Sequence, residues 1–277
     1  MSGPVVVEEL PDFDNPPVIE IVGAAQFVAL PRLSLADIVR VGQRLDGYEL
    51  HELQPELPPM TEPAPGAPDE PQFMLGVGQQ PHRALYLRPD GRFFAQLQRD
   101  RIAVNERRRQ PSDDDPSFET VWPELARLAD CVNETLVEDV GYGPESPTVV
   151  EVTYVNWIEP VAGVWETHGE LHKVLRIISD EAGQGAFGVA EQLAARYSFC
   201  LHAADDSFRG RLHVVADPGY TQDGRLALTL NLFSRRLVVN SQAEGLAEVF
   251  EACHQDVVNG FAAITTPEMH EVWKRTR

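Results

Sequence analysis

Hydrophobic positions recur along this chain at two periods, and the switching between them predicts its elements. Residues 18–28 form a β-rich apolar run suited to a buried strand, set off from the preceding residues by Asn15-Pro16-Pro17. Ser34 stands where an N-cap is needed. Leu35, Ile38, Val39 and Leu45 follow at helical spacing, which predicts a helix ending near Asp46-Gly47. Residues 54–81 carry eight prolines and no sustained period, so a long loop is expected. From His82 the period becomes two. Residues 84–87, 93–98 and 101–106 then read as a three-stranded meander punctuated by Asp90-Gly91 and Arg99-Asp100. Asp113-Asp114-Asp115-Pro116 is expected to open a helix, because carboxylates accept its free amides and proline is tolerated in its first turn. Val121, Trp122, Leu125, Leu128, Ala129, Val132 and Leu136 make the apolar stripe of that helix.

The same order then begins again. Residues 148–158 read as a strand, and Leu171, Val174, Leu175 and Ile178 as a short helix. Residues 192–201, 211–216 and 226–232 alternate as three more strands. Leu246, Val249, Phe250, Cys253, Val257, Phe261 and Ile264 form a second long helical stripe, and Thr265 or Thr266 caps a final helix opening at Pro267. The expected fold class is α+β, in two similar halves, each a strand, a helix, a three-stranded antiparallel meander and a long helix. The boundaries are an acidic leader at 1–17, a first half at 18–147 holding the proline-rich loop 54–81, and a second half at 148–277. Strands that alternate in this way have one dry face against helices and one polar face. The polar set is Gln96, Gln98, Arg101 and Asn105 in the first half, and Arg196, Arg211, His213, Thr229 and Asn231 in the second.

Charge narrows the partners. At 277 residues and 43% hydrophobic content the chain can bury a core, and its formal net charge of -20 disfavours a membrane surface or duplex nucleic acid. Residues 1–20 and 46–70 hold five and seven acids with no Lys or Arg, whereas residues 83–109 hold eight arginines against Asp90, Asp100 and Glu106. Arginines and amides on one sheet face could take an anion or a single strand of nucleic acid, although only Phe94 and Phe233 offer stacking surfaces. Three widely spaced cysteines fit reduced thiols and a cytoplasmic location. Neither a secretory leader nor an apolar run of ~20 residues is seen, so no membrane association is expected.

Catalytic motifs are weak. Gly183-Gln184-Gly185-Ala186-Phe187-Gly188 has dinucleotide-binding spacing, but alternating residues follow it where a helix should, so it reads as a connector. His168 and His172 would form a metal edge one helical turn apart, yet Gly169 weakens the helix and no third ligand is evident; a solvated helix face is the plainer reading. Asp113–Asp115 could hold a hard cation, but capping accounts for it. His254 reads as a packed or hydrogen-bonded histidine, since Asp256 at i+2 cannot face it, and Cys253 sits on the buried stripe. No nucleophile elbow or phosphate-binding loop is present. No catalytic residue, cofactor or metal is therefore assigned.

Several segments in order resemble a sporadically distributed bacterial family of uncharacterised proteins of about this length. They are Asn15-Pro16-Pro17-Val18-Ile19-Glu20, Gln96-Leu97-Gln98, Val104-Asn105, Val152-Thr153-Tyr154-Val155-Asn156, and the ending His254…Phe261…Thr265-Thr266-Pro267-Glu268-Met269-His270-Glu271-Val272-Trp273. The match spans nearly the whole chain. It departs at Asn105-Glu106-Arg107, where the family has Asn-Trp-Arg. The resemblance implies a two-part α+β protein with an accessory or defence-type role, and it brings Asn156 into the candidate set.

The leading expectation is a non-enzymatic binding or interaction protein. Its contact surface would be the polar sheet face with Gln96, Gln98, Arg101, Asn105, Asn156, Arg211, His213 and Asn231, and its partner a protein. One alternative is a nucleotide- or nucleic-acid-processing enzyme in which Arg101, Arg211 and His213 bind phosphate and His254 is the base. The other is an acidic antagonist of a basic protein.

Overall fold

The structure, a computed structural model, describes residues 9–30, 33–67, 83–110, 112–136, 143–185, 188–221, 223–239 and 245–277. One nine-stranded antiparallel sheet organises it. The strands are β1 (Val18–Phe27), β2 (Glu49–Gln54), β3 (Arg83–Leu87), β4 (Phe93–Gln98), β5 (Arg101–Arg107), β6 (Pro147–Ile158), β9 (Ala195–His202), β10 (Phe208–Tyr220) and β11 (Leu226–Leu237), with β7 (Gln184–Gly185) and β8 (Gly188–Val189) forming a separate two-stranded ribbon. Their order across the sheet is β2-β3-β4-β5-β1-β6-β11-β10-β9. β1 and β6 are neighbours at the middle, so the sheet is continuous between residues 18–147 and 148–277.

Helices α1 (Leu35–Arg44), α2 (Phe118–Leu136) and α3 (Leu246–Ile264) cover one side, and α4 (Pro267–Val272) closes its end. Alternation decides which side chains they meet. Ala84 and Tyr86, Phe93, Ala95 and Leu97, and Ile102 and Val104 turn towards α1 and α2. Leu212, Val214 and Ala216, and Leu228, Leu230 and Leu232, turn towards α3. Each such large side chain contributes about 1.5–3 kcal/mol by leaving water. Phe250 of α3 lies directly over Gly23 of β1, where any Cβ would come within 2.4 Å of its ring. Ser34 caps α1 in a capping box with Asp37, and Tyr86 Oη donates to Ile38 O (2.7 Å), tying α1 to the sheet.

Several elements differ from the pattern-based expectation. β2 falls between the expected helix and the expected loop, in residues for which the pattern gave no element. It is a mostly exposed edge strand whose two leucines, Leu50 and Leu53, are thrown out of alternation by a bulge between Leu50 and Glu52. The short helix expected over Leu171–Ile178 is instead a 3-10 segment, His168–Lys173, because Gly169 is pressed against the Ala190 carbonyl and a Cβ there would lie 2.0 Å from its oxygen. The aspartate run does not cap α2. Asp113 accepts from the amides of Arg109 and Gln110, and Asp115 pairs with Arg108. The first turn of α2 is closed instead by Ser117 Oγ, which accepts from Glu119 N, and by the buried Glu106 carboxylate, which accepts from Ser117 N (3.0 Å) and Thr120 Oγ1. In the glycine-rich motif, Gly183–Gly185 and Gly188 fall in a 3-10 turn and the β7–β8 ribbon, and Ala186 and Phe187 lie outside the described residues. Residues 68–81 of the proline-rich loop also lie outside them.

Among the described residues no helix is long and apolar enough to cross a membrane.

Candidate functional site

The face of the sheet away from the helices carries the expected polar side chains, and most of them are already engaged. Residues 57–63 of the proline-rich segment cross it at right angles to the strands. Gln98 brackets Leu57, its Oε1 accepting from Leu57 N (3.0 Å) and its Nε2 donating to Leu57 O (3.1 Å). Gln26 does the same to Met60, at 2.5 and 3.0 Å. Arg101 donates to Pro58 O, and Met60 packs on Ala24, Ala103 and Val149.

The strap ends on a buried carboxylate. Glu62, its side chain 1% exposed, accepts from Arg211 Nη1 (2.7 Å), His213 Nε2 (2.8 Å) and Arg235 Nη1 (3.4 Å). Arg211 also donates to Pro63 O (2.8 Å) and Arg235 to Thr61 O (3.2 Å). Burial alone would raise the Glu62 carboxyl. The hydrogen bonds from His213 and Arg211 and the nearby positive charge more than reverse this, holding it below the usual range. Sheet register explains how one short segment reaches all these groups. Gln96, Ala103, Ala24, Glu151, Arg235 and Arg211 stand side by side on β4, β5, β1, β6, β11 and β10. Five strand spacings are about 24 Å, and seven extended residues with long side chains at each end span that width.

Four of the eight expected site residues, Gln98, Arg101, Arg211 and His213, therefore hold the strap. Gln96 and Asn105 form a ladder beside it, with Gln96 Nε2 donating to Asn105 Oδ1 (2.8 Å) and Asn105 Nδ2 to Glu20 (2.6 Å). Asn231 shares the face but sits roughly 20 Å along and 14 Å across from Arg101, by counting residues and strands. Its Oδ1 is buried without a partner among the described residues. Asn156 is on the opposite, helix-covered face, because it falls in phase with Val150 and Val152. The stacking surfaces are occupied as well: Arg107 lies 4.1 Å over Phe94, and His213 stacks on Phe233 at 4.5 Å. Gln26, Glu62, Glu151 and Arg235 were missed in the sequence. For Gln26 a signal existed, since it is in phase with Glu20 on an otherwise apolar strand.

Ser198 Oγ, His213 and Glu62 form a hydrogen-bonded chain (2.9 and 2.8 Å). It places the serine on Nδ1 and the acid on Nε2, the reverse of a Ser-His-acid triad, and its carboxylate is already neutralised by two guanidinium groups. It anchors the strap.

A second feature lies across the sheet from the strap. Residues 9–18, the first turn of α2 and the middle of α3 enclose a cleft of about 610 Å³. On its wall His254 Nδ1 and Tyr154 Oη are 2.9 Å apart, and Phe118 stacks on the imidazole at 4.0 Å. Burial pushes His254 down and Tyr154 up. The helix-covered location separates His254 from Arg101, Arg211 and His213 by the thickness of the sheet, so these four do not form one site. Asn156 also lines the cleft; it is 3% exposed and its Nδ2 donates to Leu230 O (2.9 Å).

No family model and no curated protein matches this chain.

His168 is neither a solvated residue nor half of a metal edge. It is buried, and its Nε2 donates to Ala227 O (2.7 Å). Among the described residues no group of three or more His, Cys, Asp or Glu side chains could hold a metal ion. Cys131 and Cys253 are buried and Cys200 is exposed, all three free; burial pushes the Cys253 thiol up to about 12.

Proposed function

We propose that this is a non-enzymatic interaction protein whose polar sheet face recognises an extended, acidic, proline-containing protein segment. In its resting form the face would be occupied by the chain's own residues 57–63. One observation carries this reading: Gln98 and Gln26 each grip both the N–H and the C=O of a strap residue, and three basic side chains then receive its single buried acid. Side-chain amides that bracket a peptide unit read backbone rather than sequence, and the arginines select acid. A partner segment of the same composition would meet the same donors and acceptors.

A direct test uses a fluorescein-labelled peptide spanning residues 55–67, added to the whole chain and to its Glu62→Ala variant, with anisotropy as the readout. The variant, its strap weakened, is expected to bind the peptide, and the unaltered chain to bind it roughly tenfold more weakly or not at all. Adding Arg211→Glu to the variant should abolish the signal. Absence of binding to the Glu62→Ala variant would rule the reading out.

The same reading treats the two halves as a structural duplication. From the central pair outward the strands run β1-β5-β4-β3 on one side and β6-β11-β10-β9 on the other, and α2 and α3 follow β5 and β11 in the chain. β2 and the 3-10 segment break the correspondence. The resemblance to the sporadically distributed bacterial family, with its accessory or defence-type role and a protein found in the cytoplasm, belongs to this proposal too.

A further inference from the structure

We propose that the cleft at Tyr154, Asn156 and His254 is a binding site for a small amphipathic organic amine, a cation carrying an aromatic or aliphatic body. The volume, about 610 Å³, is in the range of small-molecule sites. Phe13, Phe118, Val257 and Phe261 supply apolar wall.

The polar groups specify the rest. Because Leu230 O accepts from the Asn156 amide, the nitrogen end of that side chain is fixed. Its Oδ1 has no hydrogen-bond partner among the described residues, although the residue is 3% exposed. That oxygen is not fully enclosed, so it stands open to the cleft as an acceptor, and an ammonium or amine N–H is a matching donor. Charge at the mouth points the same way. Glu9, Asp12 and Glu119 stand against one base, Arg277, which is already paired with Asp12 at 3.0 Å. At the start of α2 the amides of Ser117, Glu119 and Thr120 are already bonded, to Glu106, Ser117 Oγ and Ser117 O. Burial pushes the His254 pKa down, which disfavours the imidazolium that would repel a cation. The sheet separates this site from the strap, so it stands or falls independently of the proposed peptide face.

Tryptamine and indole-3-acetate share a ring and differ in charge, which makes them suitable probes in calorimetric titrations of the whole chain at low salt. Tryptamine is expected to saturate one site, with indole-3-acetate weaker by roughly tenfold or more. Val258→Trp, which fills the cleft from a partly exposed position on α3, should abolish binding with an unchanged unfolding midpoint. Asn156→Leu, which removes the acceptor, should weaken tryptamine by roughly tenfold. Should Asn156→Leu fail to fold, Val258→Trp alone tests the location. The proposal is overturned if tryptamine does not bind below about 10 mM, if indole-3-acetate binds as tightly, or if Val258→Trp leaves the affinity unchanged.

Discussion

The two faces of the sheet are covered by opposite means. On one, α2 and α3 lay apolar stripes on alternating aliphatic and aromatic side chains, and the attraction is spread over many contacts without direction. On the other, residues 57–63 are held by a few directional bonds from Gln26, Gln98, Arg101, Arg211, His213 and Arg235, with Met60 as the main apolar anchor. The first kind of cover is lost mainly through loss of volume, its charged contacts such as Glu106 at the start of α2 being few beside its apolar ones. The second depends on single charges, which makes it the part of the molecule that one substitution or a proton can release.

The largest effect is expected on the helix side. Phe250 is fully buried between Gly23, Phe118 and Trp122, and Phe250→Ala should cost about 3–5 kcal/mol in urea unfolding, through lost transfer energy and the cavity left behind. A loss below about 1 kcal/mol would mean that the two covers are less different than their chemistry implies. On the strap side, Glu62→Ala removes the carboxylate shared by Arg211, His213 and Arg235, of which Arg235 keeps Glu151 as a partner. Their side chains keep 14–20% exposure, so solvent softens the penalty to about 2–3 kcal/mol. The same variant should expose the segment at residues 57–63 to proteolysis while α2 and α3 stay protected from hydrogen exchange, a contrast that Phe250→Ala should not produce.

A proton should release the strap. Folded Glu62 has a lowered pKa, so its contribution is fully present above the unfolded value of about 4.5 and is lost as pH falls through the lower folded value. Unfolding free energy measured between about pH 6 and about pH 3 should therefore decline more steeply in the unaltered chain than in Glu62→Gln. Equal slopes would show that Glu62 is not what couples the strap to pH. At the small end, Arg225 pairs with Asp223 and Glu159 entirely at the surface, and Arg225→Ala should leave the unfolding midpoint unchanged within error.

Much of the architecture was legible because burial imposes a period. Ser34, Ile38 and Leu45 identified α1, although Leu35 and Val39 of the same expected stripe are exposed; the stripes from Val121 and from Leu246 identified α2 and α3; and alternation separated Leu97 from Gln96 and Leu212 from Arg211. β2 was not legible, since an exposed, bulged edge strand has no face to encode. The 3-10 turn at His168 escaped notice because it results from a close approach of Gly169 to Ala190 that no local pattern records. At the candidate site, Gln98, Arg101, Arg211 and His213 could be read as sharing a face, but the strap that binds them could not, because prolines remove periodicity without saying where the chain goes.

Local patterning alone was thus enough to settle the α+β class, the long helices and the sidedness of most strands, because each depends on neighbours within a few residues. The meeting of Glu62 with Arg211, and of Tyr154 with His254 a hundred residues on, came only with the assembled fold. Contacts over such separations depend on strand order and register, which side-chain period does not encode.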